Sequence, residues 1–167
     1  LFRNNGNDTF TDVAKHLGLT RPVDMFPVWF WDFNNDGALD LYVSSSSGRV
    51  GSLAKYAVGE EVAARKKGFI RTTTDWGNLT YELAALYRGD GRGGFSEVAQ
   101  ELNLVYPTQP MGANFGDING DGYLDFYLAT GNIGFSELRP NVMFLNQRGQ
   151  RFENVTMAGG FGHLQKG

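Results

Sequence analysis

Residues 86–99, Leu-Tyr-Arg-Gly-Asp-Gly-Arg-Gly-Gly-Phe-Ser-Glu-Val-Ala, repeat residues 1–14, Leu-Phe-Arg-Asn-Asn-Gly-Asn-Asp-Thr-Phe-Thr-Asp-Val-Ala, without a gap. The same shift of 85 positions continues along the chain and places Asp32 on Asp117. A weaker third copy begins at Met143, only 57 positions after the second. Repetition at a fixed period is the sequence signature of an architecture built from similar units. The difference in spacing indicates an insertion of 28 residues in the first full repeat.

Each full repeat is predicted to form four short strands. The first strand is predicted at Phe26–Trp31 and again at Met111–Gly116, directly before an acidic turn. The second alternates apolar and polar residues, with Leu39, Leu41 and Val43 set against Asp40 and Tyr42. The third and fourth strands form a hairpin around Gly-rich turns. Four antiparallel strands per repeat are typical of a propeller blade, whereas a sandwich would not explain the repetition.

These patterns predict an all-β fold, a β-propeller of four-stranded antiparallel blades with one helical insertion. The chain is interpreted as a single, partial propeller domain over residues 1–167, with about two full blades plus flanking strands. We expect the remaining blades to come from a longer chain or an assembly. The predicted segments are an outer half-blade at 1–19, blades at 26–99 and 111–156, and a lead-in at 157–167.

The insertion, placed within residues 45–81, is predicted to carry one helix. Ser52 is a suitable N-cap, and the basic run Arg65-Lys-Lys67 before Gly68 suits the C-terminal end. The helix is interpreted either as a decoration on the propeller rim or as a partner-binding element of this blade.

Composition narrows the function classes. The net charge is −3, and no basic run interleaves with aromatics, which argues against a nucleic-acid partner. No apolar run reaches the roughly 18 residues that a membrane span requires. Cysteine is absent, so disulfides and thiolate metal sites are excluded. The two histidines, His16 and His163, belong to no catalytic constellation, and the chain is predicted not to be an enzyme.

Two acidic turns contain the candidate metal ligands. The first acidic turn is Asp32-Phe-Asn-Asn-Asp-Gly-Ala-Leu-Asp40, and the second acidic turn is Asp117-Ile-Asn-Gly-Asp-Gly-Tyr-Leu-Asp125. Both have oxygen-bearing side chains at positions 1, 3, 5 and 9 and Gly at position 6, and position 7 can supply a backbone carbonyl. The candidate ligands are Asp32, Asn34, Asp36, the Ala38 carbonyl and Asp40, with Asp117, Asn119, Asp121, the Tyr123 carbonyl and Asp125.

This donor set predicts two Ca²⁺ sites. A hard cation takes about six to eight oxygens at roughly 2.3–2.6 Å, which one compact bend can supply. Without a cation, each turn would hold three carboxylates close together against their mutual repulsion. An EF-hand would need Glu at position 12, where Val43 and Leu128 stand within predicted strands. Mg²⁺ fits poorly because it demands a small octahedron and retains its waters.

The sequence Phe115-Gly-Asp-Ile-Asn-Gly-Asp-Gly-Tyr-Leu-Asp125 resembles an FG-GAP (VCBS) repeat, the blade unit of integrin α-subunit propellers. Residues 1–14, Met111–Asp117 and Gly160–Gly167 are similar to the cartilage acidic protein/UnbV (ASPIC) family. The resemblance implies Ca²⁺ at the same residues of both turns. It also implies an exported or cell-surface protein. Trp31 departs from the family pattern, since the second repeat has Gly116 there.

The leading functional hypothesis is a calcium-stabilised extracellular, cell-surface or periplasmic module that binds protein or glycan in a structural or adhesive role. One alternative is a calcium-dependent propeller enzyme such as a polysaccharide lyase. Another is a subunit of a surface filament or assembly. Three triplets, at Asn7, Asn78 and Asn154, match glycosylation sequons.

Overall fold

The computed structural model describes residues 1–46, 69–74, 77–106, 108–131 and 139–165, and this part of the chain is all-β. Fourteen strands are present in these ranges, and they form antiparallel sheets. The described residues contain no helix long and apolar enough to cross a membrane. The strands are β1 (Phe2–Asn4), β2 (Phe10–Asp12), β3 (Met25–Trp31), β4 (Asp40–Ser45), β5 (Phe69–Thr74), β6 (Gly77–Glu82), β7 (Ala85–Gly89), β8 (Phe95–Glu97), β9 (Pro110–Gly116), β10 (Asp125–Thr130), β11 (Arg139–Pro140), β12 (Val142–Asn146), β13 (Phe152–Asn154) and β14 (Leu164–Gln165).

Two four-stranded sheets share one topology. The first sheet has the order β3-β4-β7-β8 and the second has the order β9-β10-β12-β13. In both, each strand pairs with the preceding strand of the sheet in antiparallel orientation, as the sequence repeat predicted. The predicted first strands differ from β3 and β9 by a single residue at their N-terminal ends. The four-stranded repeat unit is therefore confirmed.

The largest core lies between the two sheets. Its side chains come from one face of the first sheet and the facing side of the second, and the edge strands β3 and β9 are in contact. Aromatic rings fill this interface, with Trp31 stacked on Phe152 at 5.7 Å and edge-on to Phe126 at 5.5 Å between ring centroids. Aromatic clusters of this kind dominate core energetics because each ring buries a large area. The two sheets are thus held together chiefly by apolar contact.

The remaining faces are only partly covered. On the far face of the first sheet, Leu19 packs against a small cluster that includes Leu41 and Tyr87. Val28 and Phe30 on that face are exposed, as is Phe2 on the β1–β2 hairpin. On the far face of the second sheet, Phe161 lies 6.3 Å from Tyr127, between ring centroids. Large apolar side chains therefore face solvent on the far face of the first sheet.

The structure corrects two predictions. The alternation in the second strand was interpreted as one apolar and one polar face, yet every residue of β4 is buried, Asp40 and Tyr42 included. Leu39, assigned to the apolar face, precedes the strand and is exposed. The strand is covered on both sides because the second sheet packs on one face and Leu19 packs against the other.

The second correction concerns the insertion. A helical insertion is wrong for its described part, since β5 and β6 form an antiparallel hairpin with Phe69 opposite Glu82. The β-branched run Ile70-Arg-Thr-Thr-Thr74 favours a strand. The residues for which the helix itself was predicted, 52–68, lie outside the described residues.

Candidate cation-binding turns

The first acidic turn joins β3 to β4 and folds around its own backbone amides. The Asp32 carboxylate accepts from the amide of Asp36 through Oδ1 (3.1 Å) and from the amide of Gly37 through Oδ2 (2.9 Å). Asn34 Oδ1 accepts from the same Asp36 amide at 3.3 Å. Side chains of positions 1 and 3 therefore converge on one backbone nitrogen. Gly37 has a φ of 84°, a left-handed conformation that glycine adopts without steric penalty.

The carboxylate at position 5 is also hydrogen-bonded within the turn. Asp36 Oδ1 accepts from the Ala38 amide at 2.8 Å, and its Oδ2 accepts from Asn34 Nδ2 at 2.7 Å. These bonds favour the charged carboxylate. The Ala38 amide, followed by the Asn34 amide, lowers the pKa of Asp36. Asp36 is thus held as an anion beside Asp32.

The second acidic turn, between β9 and β10, repeats four of these bonds, all donated by backbone amides. Asp117 Oδ1 accepts from the Asp121 amide at 3.1 Å, and Asn119 Oδ1 accepts from that amide at 3.2 Å. Asp117 Oδ2 accepts from the Gly122 amide at 2.8 Å, and Asp121 Oδ1 from the Tyr123 amide at 3.0 Å. Two sequences that differ at positions 2, 4 and 7 therefore build one turn geometry.

The carboxylates at position 9 lie at the base of the turns and are fully buried. Asp40 accepts from the Phe33 amide through Oδ2 (3.0 Å) and from the Gly89 amide through Oδ1 (2.9 Å). Asp125 makes the equivalent bonds with the amides of Ile118 (3.0 Å) and Asn146 (2.7 Å). Each carboxylate therefore ties its turn to the end of the third strand of its sheet, a role that the sequence pattern did not reveal.

Burial dominates the electrostatics at position 9. Desolvation raises the pKa of Asp40 and of Asp125, and the neighbouring turn carboxylates add to the rise. Backbone hydrogen bonds oppose this change but do not reverse it. A nearby divalent cation would act in the opposite direction, because it favours the charged carboxylates.

The predicted ligands are thus only partly gathered. Positions 1, 3 and 5 converge in each turn, and position 9 lies beneath them. Ala38 and Tyr123 stand at the end of the turns, and their carbonyls remain predicted ligands. In the described ranges, no three Asp, Glu or His side chains come close enough to hold a metal by themselves. The donor set, which is all oxygen and includes an Asn and a carbonyl, fits a hard cation such as Ca²⁺.

The two turns also touch each other. Asn35 Nδ2 donates to the carbonyl of Gly122 at 3.0 Å, and Asn146 Nδ2 donates to the carbonyl of Phe33 at 2.7 Å. Sequence analysis missed both contacts. The one available signal was that Asn146 occupies the position at which the first repeat has Gly89.

A family model described as FG-GAP-like repeat matches residues 72–128. The matched stretch includes β7 to β9 and the whole second acidic turn. This supports the FG-GAP part of the resemblance for that stretch. A comparison with curated proteins gives no match.

Proposed function

We propose that this protein is a calcium-binding β-propeller module of the FG-GAP/VCBS type, related to the cartilage acidic protein/UnbV family. Its role is structural or adhesive, and its partner is a protein or a glycan. It is not an enzyme. Each acidic turn holds one Ca²⁺ through the five ligands that the sequence predicts for it.

One observation carries the calcium assignment. In both turns, the side-chain oxygens of positions 1 and 3 lie within 3.3 Å of one backbone nitrogen, that of position 5. One carboxylate oxygen and one carboxamide oxygen are therefore held on the same side of each bend. A bound Ca²⁺ would supply positive charge against this concentration of anionic oxygen.

The propeller arrangement is supported by the packing of the sheets. Two sheets of identical strand order lie face to face, with their first strands adjacent. Exposed apolar side chains on the outer faces, such as Val28, Phe30 and Ile118, are surfaces that further blades would cover. We propose that such blades come from a longer chain or an assembly.

The location follows from calcium supply. Extracellular modules bind Ca²⁺ with dissociation constants of about 10⁻⁴–10⁻³ M, which suits millimolar calcium and not the cytosol. We therefore propose an extracellular, cell-surface or periplasmic protein.

Thermal unfolding with and without chelator tests the proposal. At a dissociation constant of about 10⁻⁴ M and about 1 mM Ca²⁺, each site adds roughly 1.4 kcal/mol. Two sites should raise the Tm by about 5–10 °C for a chain of this size. The double variant Asp36→Ala/Asp121→Ala should lose the response.

Asp90→Ala is the matched control for this experiment. Asp90 is an exposed turn carboxylate that accepts from the amides of Arg92 and Gly94, both at 2.8 Å, but lies outside the acidic turns. Its replacement should leave the calcium response intact. A Tm that is indifferent to calcium in the unmodified protein would refute the proposal.

A further inference from the structure

Asn146, the last residue of β12, is a fully buried polar side chain with its hydrogen-bonding groups in use. Its Nδ2 donates to the carbonyls of Phe33 (2.7 Å) and Leu124 (3.1 Å). Its Oδ1 accepts from the Gly149 amide at 2.7 Å. Both donors and the acceptor of the carboxamide thus have partners, which is the condition under which a buried polar group specifies one arrangement.

These bonds end at both acidic turns. Phe33 lies between Asp32 and Asn34 of the first turn, and Leu124 directly precedes Asp125 of the second. The backbone amide of Asn146 donates to Asp125 Oδ1 as well. One residue therefore fixes peptide units that adjoin predicted ligands of both turns.

One further contact joins the two turns directly, and another joins the first turn to the segment between β12 and β13. Asn35 of the first turn donates to the Gly122 carbonyl of the second at 3.0 Å. Gly149 packs so closely on the first turn that an added Cβ would lie 2.8 Å from Asn34 Cα. A displacement of the first turn would therefore strain bonds that end in the second.

The first sheet has no bridging side chain at the equivalent position. Gly89 stands where the second sheet has Asn146, and its amide makes the same bond to the position-9 carboxylate. A Cβ at Gly89 would lie 2.3 Å from the carbonyl oxygen of Leu39, so no side chain fits there. In the β1–β2 hairpin the equivalent residue is Asn4, which is exposed. The bridging carboxamide is specific to the junction between the two turns.

We propose that the two acidic turns form one coupled cation-binding unit in which Asn146 is the positioning residue. Calcium at one turn raises the affinity of the other, because ordering the first turn orders the peptide units that Asn146 and Asn35 connect to the second. This inference rests on the proposed calcium function. Coupling between sites is commonly 5- to 150-fold in affinity and must be reciprocal.

Calcium titration by calorimetry measures the coupling. Asp36→Ala removes calcium binding at the first turn. The calcium affinity of the second turn in this variant is then compared with its affinity in the unmodified protein. We expect the second turn to bind at least about fivefold more weakly when the first is silenced. Asp121→Ala should weaken the first turn by the same factor.

Asn146→Gly then tests the positioning role, because it reproduces the residue that the first repeat carries naturally. In this background, silencing the first turn should change the affinity of the second by less than about twofold. Asn4→Gly, at the exposed equivalent position, should leave the full coupling. If Asn146→Gly does not fold, Asn35→Gly removes the exposed link alone and should reduce the coupling.

Amide hydrogen exchange in chelator separates this inference from the calcium function. Asp36→Ala should speed exchange of the Gly122 and Tyr123 amides in the second turn, but not when Asn146 is Gly. If the unmodified protein binds no calcium, the proposed function fails and exchange still decides the coupling. If both turns bind calcium independently and exchange in the second turn ignores the first, the coupling is refuted and the calcium function stands.

Discussion

The two sheets present equivalent faces to their next neighbour, and within the described ranges another sheet covers only the face of the first. The first sheet carries Trp29 and Trp31 there, and the second sheet packs on them. The second sheet has Asn114 and Gly116 at the equivalent positions, and its face retains a recess of about 350 Å³ that Phe161 only partly closes. The acidic turns nevertheless share four hydrogen bonds from backbone amides to side-chain oxygens on both sheets. Local sequence therefore determines the turn, whereas the neighbouring sheet determines what is buried around it.

The two sheets should differ most in how far a substitution at position 2 of the acidic turn lowers the free energy of unfolding. Phe33 is 0% exposed, with its ring 6.0 Å from that of Phe152 and beneath the Arg88 guanidinium, whereas Ile118 is 56% exposed. Phe33→Ala should lower the free energy of unfolding by about 3–5 kcal/mol because it opens a cavity in the interface. Ile118→Ala should cost less than about 1 kcal/mol. Urea denaturation measures both, and equal losses would contradict the assignment of the covered face.

Substitutions at position 9 of the two turns should lower the free energy of unfolding by similar amounts. Asp40→Ala and Asp125→Ala each leave two backbone amides without their acceptor, at about 1–3 kcal/mol per buried group. Both variants should therefore lose about 2–6 kcal/mol in chelator by urea denaturation. A large loss for Asp40 and none for Asp125 would mean that the open recess lets water replace the second carboxylate.

The sequence predicted the repeated elements well because repetition reports on structure directly. A fixed shift of 85 positions in the sequence locates β3, β9 and both turns. The turn geometry was also accessible, since Asp, Asn and Gly at fixed offsets favour these bends for local reasons.

Burial and hydrogen-bond partners that depend on residues distant in the chain could not be predicted from the sequence. An Asp at position 9 has the same sequence pattern whether or not it also accepts from buried amides, and Asp40 accepts from the amide of Gly89, 49 residues away. Likewise, Tyr42 alternates like a surface residue but lies beneath Phe126 of the other sheet. The bridge from Asn146 to Phe33 spans 113 residues and has no local signal.

A glycine pair isolates the contact between the second sheet and the first turn. Gly149 and Gly120 have similar φ values, 72° and 74°, so alanine imposes a similar backbone strain at both. Only at Gly149 would the new Cβ meet Asn34, whereas nothing lies within 4 Å at Gly120. Gly149→Ala should therefore cost about 1–3 kcal/mol more than Gly120→Ala in urea denaturation. Equal costs would show that the turn and the hairpin move apart freely.

The smallest effect on stability should come from the phenol of Tyr42, which is buried on the covered face. Burial raises the pKa of the Tyr42 phenol, whose ring lies 4.4 Å from Trp29. A raised pKa means that the folded protein keeps this proton longer than the unfolded chain does. The stability that the neutral phenol contributes is therefore complete below about pH 10 and is lost as the pH rises above it.

Each pH unit above that point should cost about 1.4 kcal/mol through Tyr42. Tyr42→Phe removes this loss, so its free energy of unfolding should fall less steeply between about pH 10 and 11.5 than that of the unmodified protein. The pKa values of Tyr87 and Tyr106 are also raised by burial, and these two phenols contribute equally to both proteins. Identical slopes for Tyr42→Phe and the unmodified protein would show that the interface between the sheets opens at high pH before Tyr42 ionises.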